Sequence, residues 1–228
     1  MTSPPATPDQ IQDITQQINR MQRSGMIIRN IDAHAHFQDF AQMIKGLNIH
    51  VTPNAPIEDR GRVRFNPMHP GSVPGDALTL LLKIRIVERL LGQPGTPERA
   101  GHIWRLLSAA GPGQPVPTLQ TLIAALAGTS DAGRADAAAL EQLGRHFSPM
   151  LDGEGMLPAP RAVINYDLLR TPAPLRDATR LMLYHQVIEE SRQRKNPVVL
   201  IDQHDAGLAD VQTQLQLQSG GNLHVHLY

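Results

Sequence analysis

Four short apolar runs set the terms for this chain: Met26 to Ile31, Leu47 to Val51, Ala162 to Tyr166 and Pro197 to Ile201. Each is strand-length, and apolar stripes with helical spacing lie between them. Buried strands alternating with helices suit an α/β sheet. Between the second and third runs the pattern changes. Residues 76 to 147 hold no convincing strand, and ALTLLLKIRIVERLLG, PERAGHIWRLLSAAG, TLQTLIAALAG and RADAAALEQLGRHF each show helical periodicity ending near a glycine or another break. The expected architecture is therefore a sheet domain carrying an inserted helical lobe at about 76–147.

The flanking segments sharpen this outline. Residues 1–7 read as a disordered leader. Thr7-Pro8 then supplies a cap and a first-turn proline, and Ile11, Ile14, Ile18 and Met21 form one stripe before Ser24-Gly25, which predicts a helix over 8–24. Phe37, Phe40, Ala41 and Ile44 predict a second helix, closed by Gly46. Residues 53 to 75 are rich in proline and glycine and read as a long irregular connection. A long helix is expected over 174–194. The sheet domain is drawn over 8–210 and a tail over 211–228, where TQLQLQ and GGNLHVHLY suggest at most a weak strand or hairpin.

Composition restricts the partners. The 228 residues carry 21 basic and 21 acidic side chains, so no overall field draws the chain to nucleic acid or an anionic membrane. There is no cysteine, hence no disulfide framework and no thiolate metal site. No apolar run approaches the roughly 20 residues needed to cross a bilayer. The start MTSPPATPDQ lacks the basic and apolar regions of a signal peptide, so a cytoplasmic location is the expectation.

The segment IDAHAHFQDF raises a metal question. On a strand, His34 and His36 would share a side behind Asp32, as in a barrel hydrolase; on a helix they would splay apart. A barrel needs about eight strand–helix units, which four strands and a possible fifth do not supply. His69, His102, His146 and His185 fall in a loop or in helical segments instead of on strand ends. No metal is expected, His34 and His36 being read as first-turn helix residues. The alternative is an amidohydrolase-like enzyme using them.

The order MIIRNIDAHAHFQDFAQMIKGLNIHVTP, RVRFNPM, a helical insertion, MLDGEGMLPAPRAVINYDLLR, a long helix and NPVVLIDQ resembles the C-terminal motor domain of the ATPases of conjugative transfer and type IV secretion. The likeness covers roughly residues 10 to 205. It implies a RecA-like phosphate-loop-type sheet, with ATP and magnesium as the intact family's cofactors and secretion or conjugation proteins as partners.

Two departures alter the implied chemistry. The phosphate loop G-x-x-x-x-G-K-[ST] needs a lysine after glycine, but lysine occurs only at 45, 83 and 195 and never follows glycine. By resemblance the helix over 8–24 is the one that follows that loop, and MTSPPATPDQ stands in its place. Asp202 matches the magnesium-side carboxylate of the Walker B strand, while Gln203 stands where the family places the water-activating Glu. The expectation is a truncated or degenerate ATPase-like protein, inactive alone and with no bound cofactor. An alternative is a noncatalytic interaction module. Without the strand that precedes the phosphate loop, the sheet should be incomplete, leaving an edge open to residues 222–228, a partner or a second copy.

Overall fold

The structure, a computed structural model, describes residues 7–34, 36–37, 46–53, 64–73, 75–111, 113–153 and 161–228. The chain divides into two compact units. The first, residues 1–63, 157–171 and 187–228, carries the sheet; the second, residues 64–156 and 172–186, is helical.

The sheet unit begins with α1 (Pro8–Arg23). Its entry is a reciprocal cap: Gln10 N–H donates to Thr7 Oγ1, and Thr7 N–H donates to Gln10 Oε1 at 2.8 Å. Gly25, at φ 78°, turns the chain out of the helix in a conformation that costs glycine little. Then follow β1 (Ile27–Asp32), β2 (Leu47–His50), β3 (Val163–Asp167), β4 (Val198–Asp202) and β5 (Leu223–Leu227). They form one parallel sheet in the order β2-β3-β1-β4-β5. Ile14 and Ile18 of α1 pack on Ile28, Val163, Val199 and Ile201, with Phe37 completing the cluster. Burying such side chains contributes on the order of 1.5–3 kcal/mol each.

The helical unit contains α2 (Ala77–Leu91), α3 (Pro97–Ala109), α4 (Leu119–Ala127), α5 (Asp131–His146) and the single turn α6 (Ser148–Leu151). Asp76, Thr96, Thr118 and Ser130 cap the first four, each accepting from a backbone N–H of the first turn. Inside, Arg99 pairs with Asp136 at 2.7 Å, and Gln93 donates to the same carboxylate. The RFNP turn is tied in at three points. Phe65 N–H donates to the Met150 carbonyl, Gly153 N–H donates to the Phe65 carbonyl, and the buried Asn66 carboxamide donates to the Pro117 carbonyl. Two motifs far apart in the chain, RFNP and LDGEG, are thus bonded backbone to backbone. The long helix α7 (Ala173–Gln193) contributes residues 173–186 to this unit and its last part to the sheet unit.

Two sequence expectations need correction. The polar alternation TQLQLQ is helical, within α8 (Ala209–Leu217), which follows a short 3-10 turn (Ala206–Leu208). The buried apolar residues are Val211 and Leu215, four apart, while Leu217 is 73% exposed, so the apolar period that matters is four and not two. GGNLHVHLY, expected to be weak, supplies β5, whose five residues all pair in register with β4. The outward side of β5 is partly closed by its own turn: Leu223 exchanges two hydrogen bonds with Gly220, and Val225 N–H donates to Ser219 Oγ.

Candidate functional site

In a parallel sheet all carboxyl ends lie along one edge, the usual position for ligands in open α/β folds. Here that edge collects His50 from β2, Asp167 from β3, Asp32 from β1 and Asp202 from β4.

Asp32 is turned inward. Its Oδ1 accepts the N–H groups of His34 and His36 at 3.2 and 3.0 Å, and its Oδ2 accepts that of Phe37 at 2.9 Å. Three amides converging on one carboxylate fold the chain into a tight turn directly after β1. This overturns the expectation that His34 and His36 begin a helix: both belong to the turn, and their ring centroids are 5.6 Å apart. Phe40, Ala41 and Ile44 of the expected helical stripe lie outside the described residues. His36 Nε2 is buried without a hydrogen-bond partner among the described residues. Among the described residues no group of three or more metal-ligating side chains comes together.

Behind Asp32 lies a feature that the sequence reading missed. Asn48, Asn165 and Asn30 stand in register on β2, β3 and β1. Asn30 donates to Asn165 at 2.6 Å, Asn165 to Asn48 at 2.7 Å, and Asn165 also reaches Asp32 at 3.4 Å. One row further on, His50 Nδ1 meets Asp167 Oδ2 at 2.8 Å. The signal for the ladder was an asparagine two residues before the polar end of each of three strands, N-x-D, N-x-H and N-x-D. It becomes legible only once register is known. The YDL stretch serves the same edge: Tyr166 is buried, and Leu168 N–H donates to the Asp32 carbonyl. Burial raises the Tyr166 phenol well above its ordinary range, Arg29 opposing and Glu190 reinforcing that shift.

Asp202 is fully buried, and its Oδ1 accepts the Gln203 N–H at 2.8 Å. Gln212 of α8, also buried, donates to the Gln203 carbonyl and accepts the Asp205 N–H, which holds the loop after β4 in place. Side chains alternate along a strand, so Asp32, on the Ile28 face, and Asp202, on the Leu200 face, diverge. They cannot share one ion without rearrangement.

The fold is α/β with a five-stranded parallel sheet, in agreement with a RecA-like architecture. Among solved structures the chain is similar to VirB4 of Thermoanaerobacter pseudethanolicus, with a TM-score of 0.66 and 16% identity over 97% of this chain and 67% of that one. At that identity the likeness is one of fold. No family model and no curated protein matches the sequence. No described helix is long and apolar enough to cross a membrane.

Proposed function

We propose that these 228 residues form a VirB4-like motor fold that does not hydrolyse ATP by itself and acts by docking to secretion or conjugation proteins or to a second copy. The carrying observation is the polar equipment at the carboxyl edge of the sheet. Asp202 ends β4 as a magnesium-side carboxylate would, but Gln203 follows it, and an amide cannot accept a proton as a general base. Lysine is the second requirement, because it neutralises the transferred phosphoryl group. Lys195 precedes β4 at the opposite end of the sheet, Lys83 is buried in α2 of the helical unit, and Lys45 lies outside the described residues. A degenerate Walker B strand in a phosphate-loop-type fold, with no described lysine at the carboxyl edge, is the reading that fits both features. The fold likeness to VirB4 supports secretion as the setting and a cytoplasmic location.

Calorimetric titration with magnesium–ATP tests this. Weak or absent binding is expected, and submicromolar affinity would overturn it. Gln203→Glu should create no ATPase activity, since a restored base has no phosphate to act on. Turnover in that variant would reveal a phosphate site elsewhere in the chain.

A further inference from the structure

At the amino ends of the strands, opposite the edge described above, the sheet unit holds a cavity of about 460 Å³ lined by Arg161, Arg194 and Lys195 together with Ile27, Gln193 and Asn196. We propose that this cavity is a docking site for a carboxylate-rich segment of a partner protein.

The charges explain why. Glu190, which stands beside the cavity's Arg194, is already held by buried Arg29 through two bonds of 2.7 and 2.6 Å. It therefore only partly balances Arg194, whose guanidinium stands 3.3 Å from the same oxygen. Glu189, the next acid along α7, pairs with Arg192 at 2.6 Å. Among the described residues, the side chains of Arg161 and Lys195 have no hydrogen-bond or ionic partner. Basic residues after the end of a helix often just complement its dipole. Arg192 and Arg194 serve that purpose here. Arg161 does not, because it enters from the start of β3, and its own carbonyl accepts Arg29 Nη1 at 3.1 Å. Buried Arg29 thereby fixes the backbone of one wall. The result is three cations around one concavity in a chain of zero net charge.

A guanidinium fork beside an ammonium suits carboxylate or phosphate oxygens. Two features favour acidic protein over nucleic acid. Among the described residues these cations surround a single concavity and form no stripe, whereas non-specific nucleic-acid affinity comes from neutralising successive phosphates along the backbone. No aromatic side chain among the described residues lines the cavity, which gives a base no stacking platform there. Ligands of open α/β sheets sit at the strand carboxyl ends, so occupation here leaves that edge free. The inference is independent of whether the chain binds nucleotide.

Fluorescein-labelled hexaglutamate, titrated with the intact chain and followed by anisotropy, is the direct test. Saturable binding that weakens with salt is expected. The double substitution Arg161→Glu with Lys195→Glu should lower affinity by about tenfold or more, with circular dichroism and melting temperature unchanged, since both side chains are exposed and unpaired. Arg161→Gln with Lys195→Gln should give a smaller loss in the same direction. Absence of saturable binding, or binding indifferent to both double variants, would overturn the proposal. So would oligothymidylate that binds more tightly than hexaglutamate through the same two residues, which would make this a nucleic-acid site.

Discussion

The guanidinium of Arg29 and the carboxylate of Glu190 meet in a two-point pair at 2.7 and 2.6 Å, with both side chains buried between β1 and the end of α7. Removing one partner leaves the other charge buried and unpaired, which costs about 3–5 kcal/mol. Glu190→Leu should therefore lower the urea midpoint sharply. Arg29→Met combined with Glu190→Leu should recover most of the loss, because an apolar pair needs no solvation. A single variant no less stable than the double would show that water reaches the site.

Gly153 is required by proximity. A Cβ at this position would lie 2.6 Å from the Arg64 carbonyl carbon and 2.8 Å from Phe65 N, both backbone atoms that cannot swing aside. Gly153→Ala should break the pairing of RFNP with LDGEG and destabilise the helical unit by about 1–3 kcal/mol. Urea denaturation followed at Trp104, on α3 of that unit, reads this directly; an unchanged midpoint would place the segment differently.

The last strand should loosen in acid. Although the His226 side chain is exposed, partial desolvation pushes its imidazole below its ordinary value, and the nearby His224 adds to the effect. With the folded value below the unfolded one, the contribution is fully present above about pH 6.5 and is lost as pH falls below it, because the unfolded chain takes up its proton first. Hydrogen exchange at β5 should accelerate between about pH 7.5 and 5.5 beyond the intrinsic trend. His226→Gln should remove that excess. Equal pH dependence in the wild type and the variant would exclude His226 as its source.

Deleting residues 218–228 should increase aggregation. β4 would lose its pairing from Val198 to Asp202, and Tyr228 would no longer cover the edge of Phe37, whose ring centroid is 6.4 Å away. Exposed strand edges recruit other strands. Light scattering after size exclusion is the measurement, and a stable monomeric deletion variant would argue that β5 contributes little to the sheet.

His34 and His36 provide two nearby imidazoles, but no third ligand joins them among the described residues. Zinc should bind weakly and be lost on dialysis. Stoichiometric zinc after dialysis that disappears in His34→Ala would revive the hydrolase reading.

What the sequence determined by itself is most of the described elements and their class. Apolar runs at β1 to β4, the Thr7-Pro8 cap and the stripes of α2 to α5 are local patterns, and local physics suffices to read them. Two of the failures have one cause. In TQLQLQ alternation suggested a strand, yet Val211 and Leu215 decide the outcome because α8 buries them. In LHVHLY the propensity was weak, yet β4 supplies a complete set of backbone partners. Tertiary structure alone placed Asn30, Asn165 and Asn48 side by side, since strand register joins residues more than a hundred positions apart. It likewise turned Asp32 inward onto its own loop, and it gathered Arg161, Arg194 and Lys195 around one cavity. Charge and hydrogen-bond satisfaction act through space, so these sites could not be read from the order of residues along the chain.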